Sequence, residues 1–403
     1  MKLLFVTENE ISPMQGGTER VTATLAGTLR RRGISCYLAF IRPCTLPMSA
    51  GFDGKLQIKA DKSKAQLERF ISQEGIDAVI SNLVDIRYKR LLLPILRDIT
   101  DSQGKGLVVC YHAMPGEELL GNTPGNSIWR ILHGGSIKSN LKDLLLTVTP
   151  RPVTEMLFRS KIRKRYRLIY DNADRVVLLS ERFYPEFVRL GGLRESSKLR
   201  CSGNALSYEE FLAPEELRAK KKTVMVLCRL DEKPKRISRV LKAWKYICHD
   251  DSLSGWTLKI VGGGPDEAYY RHLARRLSLS NLSFEGRRED VLPYYREASV
   301  FLMTSAFEGW GVTLTEAMQM GAVSVVMDSY ASLRDIITDG TDACITPDKD
   351  IKAFAHKLKW LMEEDETRMR MAIAGLDSCR RFSKQRNADE MLTIINEACS
   401  RSV

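Results

Sequence analysis

Two carboxylates at the ends of a short glycine-containing stretch could bind the hydroxyls of a sugar. Glu308 and Glu316 bracket seven residues, and an apolar strand-like run precedes the first of them. Four of the bracketed residues could lie against one ligand: Gly309, Trp310, Gly311 and Val312. A strand, a glycine turn and a helix N-terminus direct free backbone N–H groups to one point, which suits a phosphate. Because carboxylates beside that point can accept hydrogen bonds from hydroxyls, the stretch predicts a nucleotide-sugar site.

A purely structural interpretation of the same stretch competes with this one. The run from Thr313 to Glu316 also fits a capping box, in which Glu316 would only accept a hydrogen bond from a backbone N–H at the start of its helix. A short motif alone does not decide between the two interpretations. Other residues that could contact the same ligand are needed to decide between them.

Cations and glycines follow other strand-like runs in the second half of the chain. Arg229 follows the run Thr223 to Cys228, and Lys235 is predicted to open the next helix, where a lysine opposes the helix dipole. Gly263 lies in a glycine turn after the next run, and Arg287 follows the third. The cations could neutralise a leaving diphosphate, at about 1.5–3 kcal/mol for each charge-assisted hydrogen bond. Plain turns and surface cations are the alternative.

The first half of the chain offers a second group of candidates. Gly16 and Gly17 precede a helix, so the backbone could approach a ligand closely beside an electropositive helix N-terminus. They do not form a G-x-G-x-x-G fingerprint, so dinucleotide binding is not predicted. His112 ends the run Leu107 to Tyr111, where it is expected to face a ligand, although a lone histidine is often structural. The Gly-, Pro- and Asn-rich segment from Ala113 to Gly135 predicts a long functional loop.

The pattern of apolar and polar residues predicts the strands and helices that position these residues. Short apolar runs alternate with helix-period stretches, which predicts the α/β class with parallel strands covered on both faces. Two such series are separated by a polar, proline-containing segment at 207–222. We therefore predict two doubly wound domains, with ligands beyond the carboxyl ends of the strands and in the cleft between the domains.

Two helical predictions are specific enough to be tested by a structure. A helical stretch is predicted near Lys235 to Cys248, with Lys235 opening the helix. The tail from Ile351 to Ser400 is predicted to be helical, with breaks near Gly375 and Phe382.

Length and composition narrow the possibilities further. A chain of 403 residues with 44% apolar and 28% charged residues is ordinary for a globular protein of two domains. No apolar run approaches the roughly 18–20 residues of a membrane span, and early acidic residues argue against a signal peptide. Nine cysteines without a Cys-x-x-Cys pair predict reduced thiols in a cytoplasmic protein. The histidines lack metal-ligand spacing, and Asp348-Lys-Asp350 directly precedes a helix, so N-capping is preferred to metal binding.

The positive charge of the chain favours anionic partners. The net charge is +12, and between Arg151 and Arg167 seven basic residues face one acidic residue. Apolar residues are interleaved through 151–169, as in basic amphipathic helices that lie on anionic membranes. The alternative is the solvated face of a core-packed helix. No nucleic-acid motif accompanies the charge, so nucleic acid is not predicted as a partner.

These motifs together resemble the retaining glycosyltransferases of family 4, which have the GT-B architecture of two Rossmann-like domains. Glu308 to Glu316 resembles the Glu-x₇-Glu signature of that family, and Arg229-Leu with Lys235 resembles its Gly-Arg-Leu…Lys-Gly segment. Departures are Cys228 in place of the glycine before Arg229, one extra residue before Lys235, Arg236 where glycine is common, and Trp310 in the signature. Other motifs of the family follow in order: Gly16-Gly17, His112, Asn204-Ala-Leu, Val261-Gly-Gly-Gly-Pro, Phe284-Glu-Gly and Asp335-Ile-Ile-Thr-Asp-Gly.

The resemblance implies a role for each matched residue. His112 and Glu308 would be catalytic, beside the transferred sugar, and Glu316 would bind the ribose hydroxyls. Arg229 and Lys235 would hold the diphosphate without a metal ion or other cofactor. The glycines Gly16 and Gly17 would lie near the acceptor and the phosphate. Residues 1–206 would bind the acceptor, with the last helix at 384–400 crossing back to them, and 207–383 would bind the donor.

The expected activity is transfer of a hexose or N-acetylhexosamine, with retention, from a nucleotide diphosphate sugar to a glycan acceptor. The resemblance favours a UDP-sugar donor and polysaccharide, lipopolysaccharide or capsule biosynthesis, and the acceptor could be lipid-linked. A nucleotide-sugar 2-epimerase and a non-catalytic nucleotide-sugar-binding protein are the alternatives. The expected location is the cytoplasm, at the inner face of the membrane if the basic segment binds lipid.

Overall fold

A computed structural model of the chain describes residues 1–12, 16–44, 51–59, 62–121 and 151–400. It divides into two compact units, here called unit 1 (Met1–Ala205 and the chain from Phe382 onward) and unit 2 (Leu206–Arg381). Most of the predicted loop from Ala113 to Gly135 lies outside the described residues.

Unit 1 is built on a parallel sheet with the strand order β3-β2-β1-β4-β5-β6-β7. Its strands are β1 (Lys2–Asn9), β2 (Ser35–Arg42), β3 (Gly54–Gln57), β4 (Ala78–Ser81), β5 (Gly106–Tyr111), β6 (Arg175–Leu178) and β7 (Leu199–Cys201). Its helices are α1 (Gly17–Arg31), α2 (Ser63–Glu74), α3 (Ile86–Ser102), α4 (Glu117–Gly121), α5 (Arg151–Asp171) and α6 (Tyr184–Gly191). The inner strands are apolar and buried along most of their length because helices cover both faces of the sheet.

The C-terminal helix (Lys384–Cys399) completes unit 1 although it comes last in the sequence. It packs so closely on β5 that a Cβ atom on Gly106 would lie 2.9 Å from the carbonyl carbon of Ala398. The Glu397 carboxylate accepts hydrogen bonds from Arg175 (2.9 Å) and Arg200 (2.7 Å). Backbone approach and ion pairs thus fasten this helix to the sheet.

Unit 2 is built on a second parallel sheet, with the strand order β10-β9-β8-β11-β12-β13. Its strands are β8 (Lys221–Leu227), β9 (Thr257–Val261), β10 (Leu282–Gly286), β11 (Ala298–Met303), β12 (Val323–Asp328) and β13 (Ala343–Pro347). Counted within the unit this order is 3-2-1-4-5-6, so the direction of winding reverses between β8 and β11. Ligands of doubly wound sheets bind beyond the strand ends at such a switch point. Unit 1 has the corresponding point between β1 and β4.

The helices of unit 2 are mostly short. They are α7 (Glu232–Lys235), α8 (Ile237–Trp244), α9 (Glu267–Arg276), α10 (Leu292–Glu297), α11 (Val312–Gln319), α12 (Leu333–Ile336), α13 (Ile351–Glu363) and α14 (Asp365–Ser378). Single 3₁₀ turns occur at Glu181–Phe183, Pro214–Ala219, Asp251–Leu253 and Cys379–Phe382. The predicted α/β class with two doubly wound sheets is confirmed.

The helical stretch predicted near Lys235 to Cys248 is present in α8, but the prediction that Lys235 opens it is wrong. The chain forms α7 and then α8, because Arg236 between them takes a left-handed conformation with φ of 53°. The Thr304 hydroxyl donates to the carbonyl oxygens of Lys235 (3.2 Å) and Arg236 (3.0 Å), which holds the break in place. Lys235 therefore ends a helix instead of opening one. Its charge complements the helix dipole there, so the dipole argument for its function does not hold.

One predicted break in the C-terminal tail is also wrong. Gly375 lies inside α14, and the break falls at Glu364, between α13 and α14. A Cβ atom on Gly375 would lie 3.8 Å from the Asp342 carbonyl oxygen, an ordinary contact, so the packing at this position does not require glycine. The break predicted near Phe382 is correct, since the 3₁₀ turn Cys379–Phe382 separates α14 from the C-terminal helix.

The basic segment forms helix α5, and its second half is packed into unit 1. Ile162, Tyr166 and Ile169 are buried, which matches the core-packed alternative for this part of the helix. Near its start, Val153 and Met156 are exposed, the latter by 64%. Among the helices of the described ranges, none combines the length and apolar character that crossing a membrane requires.

Candidate active site

The two strands at the switch point of unit 2 each lead to one member of an ion pair. Lys235 follows β8 and donates a hydrogen bond of 2.5 Å to Oε1 of Glu308, which follows β11. The hydroxyl of Ser305 donates to the same oxygen at 2.6 Å. The side chains of Lys235 and Glu308 are 24% and 14% exposed, so the pair is largely shielded yet reachable from solvent. The fold thus brings together two of the predicted site residues.

Backbone contacts hold the two segments of this pair against each other. The N–H group of Ala306 donates to the carbonyl oxygen of Pro234 at 2.7 Å. The loop after β11 is fastened on its other side by Ser329, whose hydroxyl donates to the carbonyl oxygen of Ser305 at 2.5 Å. Hydrogen bonds of the loop after β11 therefore help to fix the position of Glu308, in addition to its ion pair with Lys235.

The ion pair keeps Lys235 cationic. Burial is the largest single influence and lowers the pKa of Lys235, but the Glu308 carboxylate and the other acidic groups around the ammonium together outweigh it, so the pKa is raised above its ordinary value. The pKa of Cys228, the residue before Arg229, is raised to about 12 by burial, so its thiol is neutral. A permanent cation beside a neutral thiol suits the binding of an anion.

The glycine turn after β9 packs against the turn after β8 through backbone atoms alone. A Cβ atom on Gly262, where φ is 133°, would lie 1.9 Å from the carbonyl oxygen of Cys228. A Cβ atom on Gly264 would lie 2.3 Å from the carbonyl oxygen of Leu230. The N–H group of Leu230 donates to the carbonyl oxygen of Gly263 at 3.1 Å. No side chain fits between these turns, which explains the glycine run.

Two further cations lie at this edge of the sheet. Arg229 is exposed, and in the part of the chain that the structure describes its guanidinium makes no ion pair. Arg287 is exposed after β10, and a Cβ atom on Gly263 would lie 3.6 Å from its Cβ. The N–H group of Gly262 donates to the carbonyl oxygen of Gly286 at 2.9 Å, which joins the last two turns. The ends of three adjacent strands thus supply glycine turns and cations.

The first part of the Glu308 to Glu316 stretch forms a tight turn before α11. The carbonyl oxygen of Gly309 accepts a hydrogen bond of 2.9 Å from Ser332, and Trp310 is 5% exposed. Gly311 precedes the helix with φ of 89°, in the left-handed region that favours glycine. Helix α11 begins at Val312. The N–H group of Leu314 donates to the carbonyl oxygen of Gly311 at 2.9 Å, and the two N–H groups before it, those of Val312 and Thr313, precede the first acceptor of the helix, which suits an anion.

The capping-box interpretation of Glu316 is wrong. Gly311 occupies the N-cap position, and no side chain caps α11. The fully buried Glu316 carboxylate instead accepts a hydrogen bond of 2.7 Å from the hydroxyl of Tyr295. Glu308 and Glu316 therefore have separate partners. The sequence analysis missed Tyr295, which lies 21 positions earlier in another helix and gives no local signal.

Helix capping is confirmed for the Asp-x-Asp segment. The Asp350 side chain accepts a hydrogen bond of 2.9 Å from the N–H group of Ala353 at the start of α13. Asp348 pairs with Arg239 at 2.7 Å. Each carboxylate therefore has a structural partner, as the N-cap interpretation predicts for Asp350.

In unit 1, His112 follows β5 and lies against polar residues from neighbouring elements. Its Nε2 is 3.3 Å from Oδ1 of Asn82, which follows β4. Burial, and then the charge of Lys89, lower the pKa of His112 to about 4. Lys89 in α3 is 4% exposed, and burial lowers its pKa to about 8. The sequence analysis missed both neighbours, although an asparagine at the carboxyl end of an apolar strand was a usable signal.

The two N-terminal glycines lie at the start of α1, which begins at Gly17. A Cβ atom on Gly16 would lie 2.7 Å from Oε2 of Glu19, and one on Gly17 would meet no atom within 4 Å. The close approach at Gly16 is thus to a carboxylate of its own helix. Residues 13–15, which precede this turn, lie outside the described residues.

Unit 2, which contains this site, is similar to known glycosyltransferases. Residues 207–377 match the model of the family described as glycosyl transferases group 1. An Escherichia coli protein described as O-antigen chain mannosyltransferase C is 31% identical over 137 residues, 33% of this chain and 36% of that protein. A Campylobacter jejuni protein described as N,N'-diacetylbacillosaminyl-diphospho-undecaprenol alpha-1,3-N-acetylgalactosaminyltransferase is 23% identical over 221 residues, 54% of this chain and 58% of that protein. The chain spans less than two thirds of the length of both curated relatives.

The solved structures extend the likeness to the fold of the whole chain. Anabaena Alr3699/HepE, solved in complex with UDP, matches with a TM-score of 0.70 and 15% identity, covering 98% of this chain and 100% of that one. At this identity the likeness concerns the fold, which is the GT-B fold of glycosyltransferases. The match to the glycosyl transferases group 1 model thus covers residues 207–377, whereas the likeness in fold covers nearly the whole chain.

Proposed function

We propose that the chain is a retaining glycosyltransferase that moves a hexose or N-acetylhexosamine from a nucleotide diphosphate sugar to a glycan acceptor. The observation that carries the proposal is the Lys235 ammonium held by Glu308 at the switch point of unit 2, beside turns that only glycine can form. The family match of this unit supports the transferase class. The UDP in the Anabaena structure favours a UDP-sugar.

The proposed donor site uses charge and backbone N–H groups in place of a metal ion. Arg229, Lys235 and Arg287 offset the charge of the diphosphate, together with the free N–H groups that begin at Val312. Glu316 is assigned to the ribose hydroxyls, and its carboxylate is oriented by the Tyr295 hydroxyl. The turn Gly309 to Gly311, with Trp310, borders the same helix end and is assigned to the donor as well.

The proposed reaction proceeds with retention at the anomeric carbon. The bond from this carbon to the β-phosphate oxygen breaks, and a bond to the acceptor oxygen forms on the same face. The acceptor hydroxyl proton passes to the leaving phosphate, so the phosphate serves as the base. Lys235 and Arg229 stabilise the negative charge that develops on the diphosphate, which is where preorganised cations lower the barrier most.

Unit 1 is proposed to bind the acceptor and to present His112 to the transferred sugar. Gly16 and Gly17 at the start of α1 are assigned to the acceptor and phosphate. The names of the Escherichia coli and Campylobacter jejuni relatives refer to an O-antigen chain and a lipid-linked diphosphate. They favour a polysaccharide or lipopolysaccharide pathway, with an acceptor of the lipid-linked class.

A thermal-shift panel tests the donor assignment. At a hundredfold excess over its Kd, the correct donor stabilises the protein by about 2.7 kcal/mol, which raises Tm by roughly 5–10 °C. We expect this shift with UDP-sugars, and smaller shifts with GDP- and ADP-sugars. Lys235→Ala should remove the shift with UDP-sugars. No shift with any member of the panel would contradict a nucleotide-sugar site.

Product analysis separates the transferase from its two alternatives. A transferase forms a new α-glycosidic bond from an α-linked donor only when an acceptor is present. A 2-epimerase would change the donor without any acceptor, and a binding protein would show the thermal shift without turnover or hydrolysis. Transfer with inversion would retain the transferase class but overturn the same-face mechanism.

The start of α5 is proposed to contact an anionic membrane. Val153 and Met156 are exposed there, and Arg159, Arg163 and Arg189 line a cavity of about 390 Å³ that Ser160, Leu190 and Gly192 complete. Arg189 is paired with Glu186, whereas Arg159 and Arg163 have no ion pair among the described residues. Exposed apolar side chains next to unpaired arginines are typical of surfaces that bind phospholipid headgroups.

Vesicle flotation tests this contact. We expect the protein to float with phosphatidylglycerol-containing vesicles at low salt and to remain behind with phosphatidylcholine alone. Changing Arg159 and Arg163 to Gln should weaken the partition roughly thirtyfold, at about 1 kcal/mol for each charge. The control removes two exposed charges from unit 2, as Lys242→Gln with Lys352→Gln. Equal losses in both double variants, or no flotation at low salt, would contradict the proposal.

A further inference from the structure

We infer that Thr22 and Asn82 fix the tautomer of His112, so that its Nε2 carries the proton and its Nδ1 is free to accept a hydrogen bond. Both are positioning residues, because they would act on a ligand only through the histidine. The use of Nδ1 for a sugar hydroxyl rests on the proposed function. The tautomer itself does not, since it follows from the contacts of the ligand-free protein.

The chain of contacts begins with the hydroxyl of Thr22, which is 1% exposed in α1. Its single proton is used within the helix, because Oγ1 donates to the carbonyl oxygen of Thr18 at 2.8 Å. A hydroxyl has one proton and two lone pairs, so Oγ1 can only accept from any further neighbour. That neighbour is Asn82, whose side-chain nitrogen lies 2.8 Å away.

This contact fixes the orientation of the Asn82 amide. The two ends of an asparagine amide are told apart by their partners, and here only the NH₂ end can face an oxygen that must accept. The backbone N–H group of Asn82 donates to the carbonyl oxygen of Val6 at 2.9 Å, which holds the main chain here, and the residue is 3% exposed. Because the side-chain NH₂ faces Thr22, Oδ1 is the amide atom that faces His112.

The orientation of Asn82 determines which ring nitrogen of His112 is protonated. Oδ1 of Asn82 is 3.3 Å from Nε2, and a carbonyl oxygen can only accept. Nε2 must therefore carry a proton. In a neutral imidazole the other nitrogen then has a free lone pair, so Nδ1 is an acceptor.

Burial, and then the charge of Lys89, keep the His112 ring neutral. Lys89 in α3 lies with its ammonium 5.1 Å from the centre of the Tyr111 ring, and its charge opposes a second one on His112. Glu8 in β1 is buried, and burial raises its pKa. Its carboxylate is therefore less able than usual to stabilise a positive charge on His112. The pKa of His112, about 4, places it in the neutral form at neutral pH.

The consequence is a selective contact. A neutral ring with a free Nδ1 accepts from a hydroxyl, whereas an imidazolium, or a ring protonated at Nδ1, would offer a donor instead. The three residues come from α1, from the end of β4 and from the end of β5, which meet beside the switch point of unit 1. We therefore assign His112 to a ligand group that can donate a hydrogen bond, which in a sugar is a hydroxyl.

Nitrogen NMR of histidine-labelled protein tests the tautomer directly. In long-range ¹H–¹⁵N spectra the two ring nitrogens differ strongly, and His112 is assigned by its loss in His112→Gln. We expect the Nε2–H form, unchanged from pH 8 down to about pH 5.5. The spectra of His249, His272 and His356, which are exposed, are recorded in the same sample for comparison. An Nδ1–H form, or an equal mixture of both, in the unaltered protein would overturn the proposal without any variant.

Thr22→Val then tests the source of the preference. Valine has nearly the shape of threonine but no acceptor, so the Asn82 amide is free to turn and the Nδ1–H population should rise. Thr22→Ser restores the hydroxyl and should restore the Nε2–H form. Thr28→Val is the matched control, since Thr28 is 2% exposed on the same helix and donates to the Thr24 carbonyl oxygen at 2.8 Å. A Thr22→Val spectrum like that of the unaltered protein would exclude Thr22 as the source.

Kinetics link the tautomer to the proposed reaction. If turnover is found, Thr22→Val should lower kcat roughly tenfold, with KM for the donor nearly unchanged and with recovery in Thr22→Ser. A donor sugar without the contacted hydroxyl should be insensitive to the substitution. Equal effects of Thr22→Val and Thr28→Val on kcat would reduce Thr22 to a structural role. If no turnover is found, the proposed function fails while the NMR result still decides the tautomer.

Discussion

Lys235→Ala lowers kcat/KM for the proposed sugar transfer roughly a hundredfold, a loss of about 3 kcal/mol in transition-state binding. The Lys235 ammonium is largely shielded from solvent, and Glu308 holds it in place. Charge develops on the leaving diphosphate, and a preorganised cation stabilises that charge without reorganisation. The measurement is steady-state kinetics with a UDP-sugar, and the exposed Lys242→Ala in α8 controls for the loss of one positive charge.

The loss must be separated from damage to the fold. Removing Lys235 leaves Glu308 shielded without its cation, which costs stability as well as activity. The double variant Lys235→Ala with Glu308→Gln removes that uncompensated charge. We expect it to recover most of the lost Tm but none of the lost kcat/KM. Near-normal kcat/KM in Lys235→Ala, or recovery of activity in the double variant, would contradict the diphosphate role of Lys235.

Gly264→Ala destabilises unit 2 by about 3 kcal/mol and weakens donor binding with it. Its Cβ would lie 2.3 Å from the carbonyl oxygen of Leu230, and backbone atoms cannot move aside as a flexible side chain can. Overpacking typically costs 1–3 kcal/mol, and a rigid backbone neighbour places this site at the upper end, or roughly 6–12 °C in Tm. Calorimetry measures the first effect, and titration with UDP measures the second.

The matched control is Gly255→Ala. Gly255 also lacks a positive φ, but the nearest atom to its added Cβ is the side-chain Cδ of Lys222 at 3.8 Å, an ordinary contact. We expect a change within about 0.5 kcal/mol there. Comparable losses in the two variants would show that the packing of the turn on Leu230 is not what requires glycine at position 264.

The sequence by itself determined the class of the fold and the ends of the strands that matter. Buried parallel strands are read from continuous apolar runs because both of their faces are covered, and this signal is local. It located the strand before Arg229 and the strand before Glu308 without knowledge of the sheet order. The glycine turn at Gly262 to Gly264 was also visible, since a run of glycines implies close backbone approach wherever it occurs.

Only the tertiary structure decided which of these residues meet and what holds them. Lys235 and Glu308 are 73 positions apart, and they pair because β8 and β11 are neighbours at the switch point. The left-handed break at Arg236 is held by Thr304, which directly follows the neighbouring strand β11, so no helical pattern could reveal it. Glu316 looked like a helix cap because its local spacing allowed one, and its Tyr295 partner comes from another helix. Periodicity is a property of consecutive residues, whereas the partner of a side chain depends on strand order, which the sequence encodes only through the whole fold.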